Sequence, residues 1–190
     1  MRAARVTVVR VRESFGAYQT PHGEAMVSEV SGEMQAALQA AGIPDIEADQ
    51  PLARSTPPPT FQLVRTWVLD RTAELRALRA EIHEAVTGHV GEILTGGVPE
   101  RVVLVASELA TNALRYGIPP TQVSLLADGA TYLLDVEDRA VDRQPVLAAA
   151  RQHGEGGFGL YLARRLALQV GWYTDGTSKH VWATFLADEV

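Results

Sequence analysis

The order of helical and extended patterns after residue 60 constrains the fold of this chain more than any other feature. Glycine and proline mark the ends of each pattern; Pro99 and Gly117, for example, stand where a helix commonly begins and ends. The predicted strands are 61–69, 121–127, 131–137, 171–174 and 181–186, and the predicted helices are 72–94, 99–117 and 160–170. Helices follow one another in pairs and strands in hairpins. This order predicts an α+β fold, a two-layer α/β sandwich whose mixed, mostly antiparallel sheet carries helices on one face.

A run of three prolines divides the chain in two. Residues 56–60 read Thr-Pro-Pro-Pro-Thr and are expected to be an extended, exposed linker between an extension, 1–55, and the main domain, 61–190. The extension contains one predicted strand, 5–12, and one predicted helix, 23–41. The apolar side chains of that helix share one face and are Met26, Val27, Val30, Met34, Ala37, Leu38 and Ala41. One strand and one helix cannot bury a core alone, so we expect the extension to pack on the sheet edge or across the two-fold axis of a homodimer.

Composition excludes several classes of function. The chain has no cysteine, which excludes disulfides, thiol nucleophiles and zinc–thiolate sites. Its longest apolar runs, such as 102–106, are far too short to span a membrane, and no apolar segment follows the N-terminus, so we expect a cytoplasmic protein. The net charge is −6 and no block of basic residues is present, which disfavours direct nucleic-acid binding. The only lysine, Lys179, has no glycine before it, so a P-loop is excluded.

The helix 99–117 carries the first candidate site. Opposite its apolar face, Glu108, Thr111, Asn112 and Arg115 form a narrow polar stripe. Glu108 and Asn112 are four residues apart, so their side chains stand on the same side of consecutive turns. A carboxylate and an amide oxygen in that arrangement can hold a water and a Mg²⁺ ion. A solvated helix face is the alternative that these residues alone leave open.

Two further sites follow along the chain. Asp138 stands where a buried strand meets a loop, where a carboxylate can accept a hydrogen bond from an exocyclic amine such as that of adenine; the alternative is a turn-forming aspartate. Glycines 154, 156, 157 and 159 precede a helix, where backbone amides can approach a phosphate. They also fit the dinucleotide fingerprint GxGxxG, but no strand precedes them and no βαβ unit follows, which excludes that interpretation.

The order of these motifs carries a resemblance to a known superfamily. Residues 107–113 (SELATNA), 136–140 (VEDRA) and 157–160 (GFGL) resemble the N, G1 and G2 boxes of the Bergerat-fold ATPases, the superfamily of gyrase, sensor histidine kinases and MutL. Residues 178–183 (SKHVWA) resemble the closing strand of one branch, the anti-sigma factor serine/threonine kinases of bacterial partner-switching systems. The resemblance covers roughly 61–187.

This resemblance implies an ATP site with Mg²⁺. Glu108 would be the catalytic residue, acting as general base or orienting a water, and Asn112 would be the Mg²⁺ ligand. Asp138 would bind the adenine amine, and the amides around Gly157 and Gly159 would bind phosphate. The implied nucleotide-binding residues are together Asn112, Asp138, Ala140, Gly157, Phe158, Gly159 and Leu160.

The implied function is that of an anti-sigma regulatory factor. Such a protein phosphorylates an anti-sigma-factor antagonist on serine or threonine and sequesters a sigma factor. The chain departs from the family pattern at Ala140, where the family has glycine, and at His180, where it has threonine. These departures favour a second hypothesis, a catalytically silent Bergerat-fold regulator that acts by protein contact alone. A sensor histidine kinase built around His83 is disfavoured. Its dimerisation hairpin would need two long helices before the ATP domain, and only about 25 residues separate His83 from Glu108.

Overall fold

The computed structural model describes residues 8–10, 52–90, 97–145 and 158–187. The predicted helix 23–41 lies outside these ranges, and so do Gly154, Gly156 and Gly157 of the predicted phosphate-binding segment. Within them, the five predicted strands of the main domain and the predicted helix 99–117 match the observed boundaries within about two residues. The elements are β1 (Val8–Arg10), β2 (Gln62–Leu69), a 3₁₀ turn (Thr72–Glu74), α1 (Leu75–Val90), α2 (Val98–Tyr116), β3 (Thr121–Ala127), β4 (Thr131–Asp138), α3 (Phe158–Leu166), β5 (Gln169–Thr174) and β6 (Lys179–Leu186).

The described strands form one six-stranded sheet in the order β1-β2-β3-β4-β6-β5. The pairs from β2 to β5 are all antiparallel, and β1 joins the outer edge of β2 in parallel, with Val9 opposite Trp67. The α+β architecture with a mostly antiparallel sheet is therefore confirmed. None of the described helices is both long enough and apolar enough to cross a membrane.

Helices α1, α2 and α3 cover one face of this sheet, which we call the inner face; the opposite face is the outer face. Their apolar residues pack against alternate strand residues, because successive side chains of a strand point to opposite faces. Tyr132 is fully buried there, and its hydroxyl donates to the carbonyl of Val86 in α1 over 3.0 Å. The inner-face strand residues of the core are Trp67, Leu69, Val123, Leu125, Ala127, Tyr132, Leu134, Val136, Trp172, Val181, Ala183 and Phe185.

The predicted helix 160–170 is wrong at its C-terminal end. Helix α3 ends at Leu166, and Val170 already belongs to β5. The backbone amide of Leu168 donates to the carbonyl of Thr184 over 2.8 Å, which ties the chain into the sheet. The sequence prediction extended the helix too far because an apolar residue such as Val170 fits the spacing of a helix as well as that of a strand.

Residues 52–55 run beside β5 at the far edge of the sheet. The amide of Ser55 donates to the carbonyl of Trp172 over 2.9 Å, and the amide of Trp172 donates to the carbonyl of Ala53 over 3.1 Å. The indole of Trp182 donates to the carbonyl of Ser55 over 2.7 Å. A side chain at Gly171 would come within 2.7 Å of that indole, so this approach requires glycine. The chain before the prolines is thus bound to the edge opposite β1.

Candidate functional site

The last turn of α2 lies against the end of β4. The amide of Gly117 donates to the carbonyl of Ala113 over 2.8 Å and ends the helix. A Cβ atom at Gly117 would stand 2.6 Å from Cγ of Asp138, closer than real side chains approach. Glycine at this position therefore lets the N-box helix, with Asn112 in its penultimate turn, meet the carboxylate of the G1 box.

Asp138 is buried and engaged through both carboxylate oxygens. Only 2% of the residue is exposed. Its Oδ1 accepts from the amide of Ala140 over 2.7 Å, and its Oδ2 lies 2.9 Å from Nζ of Lys179, which is itself 7% exposed. A carboxylate has about four acceptor positions, so capacity for a further donor remains. Asp138 thus has the acceptor chemistry that the sequence predicted, together with a buried cation beside it.

Sequence reasoning missed Lys179 as part of this site. The antiparallel register of β4 and β6 places Asp138 opposite Lys179 at the end of the pair. The signal was present in the sequence, since both residues are polar at the ends of apolar strands. Only the strand pairing, which the sequence did not specify, shows that they meet.

Ala140 follows Asp138 in a short loop that packs on the end of α2. It is buried, and no described residue other than glycine has a positive φ, so the backbone here does not require glycine. The amide of Arg139 donates to the carbonyl of Ile118 over 3.0 Å, and the guanidinium of Arg143 donates to the carbonyl of Tyr116 over 2.9 Å. Alanine in place of the family glycine therefore causes no backbone strain at position 140.

Glu108 lies half-buried on α2, close enough to Arg79 of α1 and Arg115 of α2 for their charges to act on it. Burial raises the pKa of its carboxyl above the ordinary 4.5, and the charges of Arg79 and Arg115 offset only part of that rise. The neighbouring Ser107 is buried, and its hydroxyl accepts from Nε of Arg79 over 2.9 Å, which fixes the position of that arginine. A carboxylate with a raised pKa is a better proton acceptor near neutral pH.

Asn112 is half-buried one helical turn after Glu108. Within the described residues no group of three histidine, aspartate or glutamate side chains is arranged to hold a metal ion. A single protein oxygen is nevertheless compatible with Mg²⁺, which in phosphate sites keeps several waters and binds phosphate oxygens beside one or two protein ligands.

The G2 box lies at the start of α3. This helix begins at Phe158, so Phe158, Gly159 and Leu160 form its first turn and their amides are at the positive end of the helix. Leu160 is buried in the core, which leaves its backbone amide as the group that can face a phosphate. Gly157 lies outside the described residues. The phosphate-binding role of these four residues stays a prediction.

Comparison with known proteins identifies the family of this arrangement. The family model of the histidine kinase-like ATPase domain matches residues 66–185, which is more than half of the chain. The chain belongs to the histidine kinase-like ATPase family. A search of curated proteins found no matching relative. Among solved structures, the Acinetobacter baumannii histidine kinase AdeS is similar at 15% identity and a TM-score of 0.43, over 87% of this chain and 80% of that chain.

ATP, usually with Mg²⁺, is the ligand of histidine kinase-like ATPase domains, and the residues of this domain fit it. Asp138 offers acceptor capacity for an adenine amine, and Asn112 offers an amide oxygen for a hard cation. Beside Asp138 in the sheet, the hydroxyl of Thr121 is buried and has no hydrogen-bond partner in the structure. A buried hydroxyl of that kind is normally satisfied by a water or a ligand. The donor and acceptor set of the ATPase domain therefore agrees with a nucleotide site on the inner face.

His180 lies on the opposite side of the sheet from this site. It pairs with Glu137 in the register, and Asp138 pairs with the residue before it, so the two side chains point to different faces. Nδ1 of His180 lies 3.0 Å from Oδ2 of Asp135, and its ring stacks on that of Tyr173 with the centroids 4.4 Å apart. The residue that lies beside Asp138 is therefore Lys179 and not His180.

Proposed function

We propose that this ATPase-family protein is an anti-sigma regulatory factor with serine/threonine kinase activity. In this proposal it binds ATP with Mg²⁺, phosphorylates an anti-sigma-factor antagonist and sequesters a sigma factor in the cytoplasm as a homodimer. The observation that carries the catalytic part is Glu108, a half-buried carboxylate with a raised pKa on the same helix as Asn112. The resemblance of residues 178–183 to the closing strand of the anti-sigma kinases supports the choice of partners.

Three polar side chains of the site each have one task in this proposal. ATP would supply the phosphoryl group, and Mg²⁺ would neutralise the negative charge of its phosphates. Glu108 accepts the proton of the attacking serine or threonine hydroxyl, because its raised pKa makes it a competent base. Asn112 would hold the metal through its amide oxygen, and Asp138 would orient the adenine. Few side chains suffice, since phosphoryl transfer depends mainly on positioning and electrostatic stabilisation.

A second candidate function is a silent regulator that binds partners without turnover. The ion pair between Asp138 and Lys179 favours it, because the ammonium already lies against Oδ2 and leaves fewer acceptor positions on the carboxylate for an adenine amine. The affinity for ATP is lowered to the extent that Lys179 keeps its place when the nucleotide binds.

Phosphate transfer by a Glu108→Gln variant separates the two candidates. With labelled ATP, millimolar Mg²⁺ and a candidate antagonist protein, we expect Glu108→Gln to lower transfer by roughly 10²- to 10⁴-fold while ATP affinity by calorimetry stays nearly unchanged. Glu100→Gln, on the first turn of the same helix, is the matched control and should retain transfer. A parent protein that captures a sigma factor in a pull-down but neither transfers phosphate nor hydrolyses ATP would support the silent regulator.

A further inference from the structure

Lys179 is a buried cation to which the phosphoryl-transfer mechanism gives no task. Its side chain is 9% exposed, and its ammonium lies 2.9 Å from Oδ2 of Asp138. Lys179 alternates along β6 with Val181 and Ala183, which belong to the core of the inner face. Because alternate side chains of a strand share a face, Lys179 points to the side of the sheet that carries the nucleotide site.

The ion pair with Asp138 uses only part of the hydrogen-bonding capacity of this ammonium. A lysine ammonium has three N–H donors and no acceptor. Among the described residues it contacts one acceptor, Oδ2 of Asp138. Buried donors are normally satisfied, because leaving one without an acceptor in the interior costs free energy. The remaining donors of Lys179 therefore fit a ligand that offers an acceptor atom beside Asp138.

A second polar group lies on the other side of Asp138. Continuing the antiparallel register of β3 and β4 by one residue beyond Gln122 and Glu137 places Thr121 beside Asp138. Thr121 is fully buried, and its hydroxyl has no hydrogen-bond partner among the described residues. A hydroxyl, a carboxylate and an ammonium thus follow one another across three strands of the inner face. The carboxylate and the ammonium offer a ligand an acceptor and a donor side by side.

An adenine base has the complementary pattern. Its exocyclic amine is a donor, and the ring nitrogens N1 and N7, one on either side of that amine, are acceptors. In the proposed function the amine binds Asp138, whose carboxylate has acceptor capacity left for it. An ammonium directly beside that carboxylate is then suited to donate to one of the two neighbouring ring nitrogens.

We propose that Lys179 binds the adenine base directly, with its ammonium donating a hydrogen bond to a ring nitrogen beside the exocyclic amine. This inference rests on the proposed nucleotide site and adds a specificity-determining residue to it. A base without that ring nitrogen loses a hydrogen bond to a charged donor. Lys179 thereby strengthens ATP binding, which is the opposite of its effect in a silent regulator.

ATP analogues in which one ring nitrogen is replaced by C–H test this contact. We expect at least one of 1-deaza-ATP and 7-deaza-ATP to bind the parent protein roughly ten- to a hundredfold more weakly than ATP in calorimetry, because a hydrogen bond to a charged group is lost. The control is 3-deaza-ATP, which should bind as ATP does, since N3 lies on the far edge of the base.

Two results of this titration have different meanings. A parent protein that binds ATP, 1-deaza-ATP and 7-deaza-ATP with equal affinity would overturn this inference and leave the nucleotide site intact. A parent protein that binds no ATP at millimolar concentration would overturn the nucleotide site, and this inference with it.

A substitution assigns the lost contact to Lys179. In Lys179→Met, the difference in affinity between ATP and the weaker analogue should disappear, because the donor has been removed. His180→Asn changes the next residue of β6, whose side chain is on the outer face, and should keep the difference seen in the parent. A difference that persists in Lys179→Met would overturn the inference, since another group would then bind the ring nitrogen.

Nuclear magnetic resonance gives a second measurement in case Lys179→Met fails to fold. The chain contains one lysine, so the parent protein made with isotopically labelled lysine gives a single side-chain ammonium signal. We expect this signal to shift on saturation with ATP or 3-deaza-ATP, and to shift much less with the weaker analogue. A signal that ATP does not shift, or that every analogue shifts equally, would overturn the inference.

Discussion

The buried pair of Asp138 and Lys179 is the residue-scale feature on which the site depends most. Each charge is tolerated in the interior because the other lies 2.9 Å away. We expect Lys179→Met to lower the free energy of unfolding by roughly 3–5 kcal/mol, since it leaves the carboxylate buried without its cation. The double variant Asp138→Asn with Lys179→Met should recover most of that loss in urea denaturation. Additive losses would show that the two residues do not act as a pair.

His180 makes the stability of the protein depend on pH. Burial by itself lowers the pKa of this imidazole, but the hydrogen bond to Asp135 and the charges of Asp135, Glu137 and Asp175 outweigh it, so the net pKa is raised above 6.5. A raised folded-state pKa stabilises the protein fully below pH 6.5, and this contribution is lost as the pH rises through the folded-state pKa. Thermal unfolding of the parent should therefore show falling stability across that window, and His180→Asn should flatten it. A parent whose stability rises there would contradict the assignment.

At the scale of elements, Gly117 tests the contact between α2 and β4. We expect Gly117→Ala to destabilise the protein, because its Cβ would stand 2.6 Å from Cγ of Asp138. Gly88→Ala is the control: nothing lies within 4 Å of a side chain at that helical position, so alanine should stabilise α1 by up to about 1 kcal/mol. Urea denaturation measures both. A neutral Gly117→Ala would mean that the two elements are not in close contact.

Most elements could be predicted because their signals are local. Pro99 and Gly117 bound α2, and alternating apolar residues define β3 and β4. The end of α3 could not be located, since the hydrogen bond from Leu168 to Thr184 depends on strand pairing. For the same reason the pairing of Asp138 with Lys179 could not be predicted. Asp138, Glu108 and Asn112 could be identified as candidates from their spacing and motifs. Their roles toward a nucleotide stay predictions.

At the scale of the whole molecule, the two faces of the sheet carry different pairs of charged residues. The inner face carries Asp138 and Lys179 beside the N-box helix, and the outer face carries Asp135 and His180. Residues from the predicted extension pair with strands at both edges, β1 beside β2 and 52–55 beside β5. The homodimer stays a prediction. The central claim is that an ATP site of the histidine kinase-like family lies on the inner face.

Calorimetric titration with ATP and Mg²⁺ tests that claim most directly. We expect Asp138→Asn to weaken ATP binding roughly ten- to a hundredfold, because it alters a buried acceptor worth about 1.5–3 kcal/mol. Asp135→Asn makes the same change three residues earlier on the same strand but on the outer face, and should leave the affinity unchanged. Undetectable binding by the parent at millimolar ATP, or equal effects of the two substitutions, would contradict the claim.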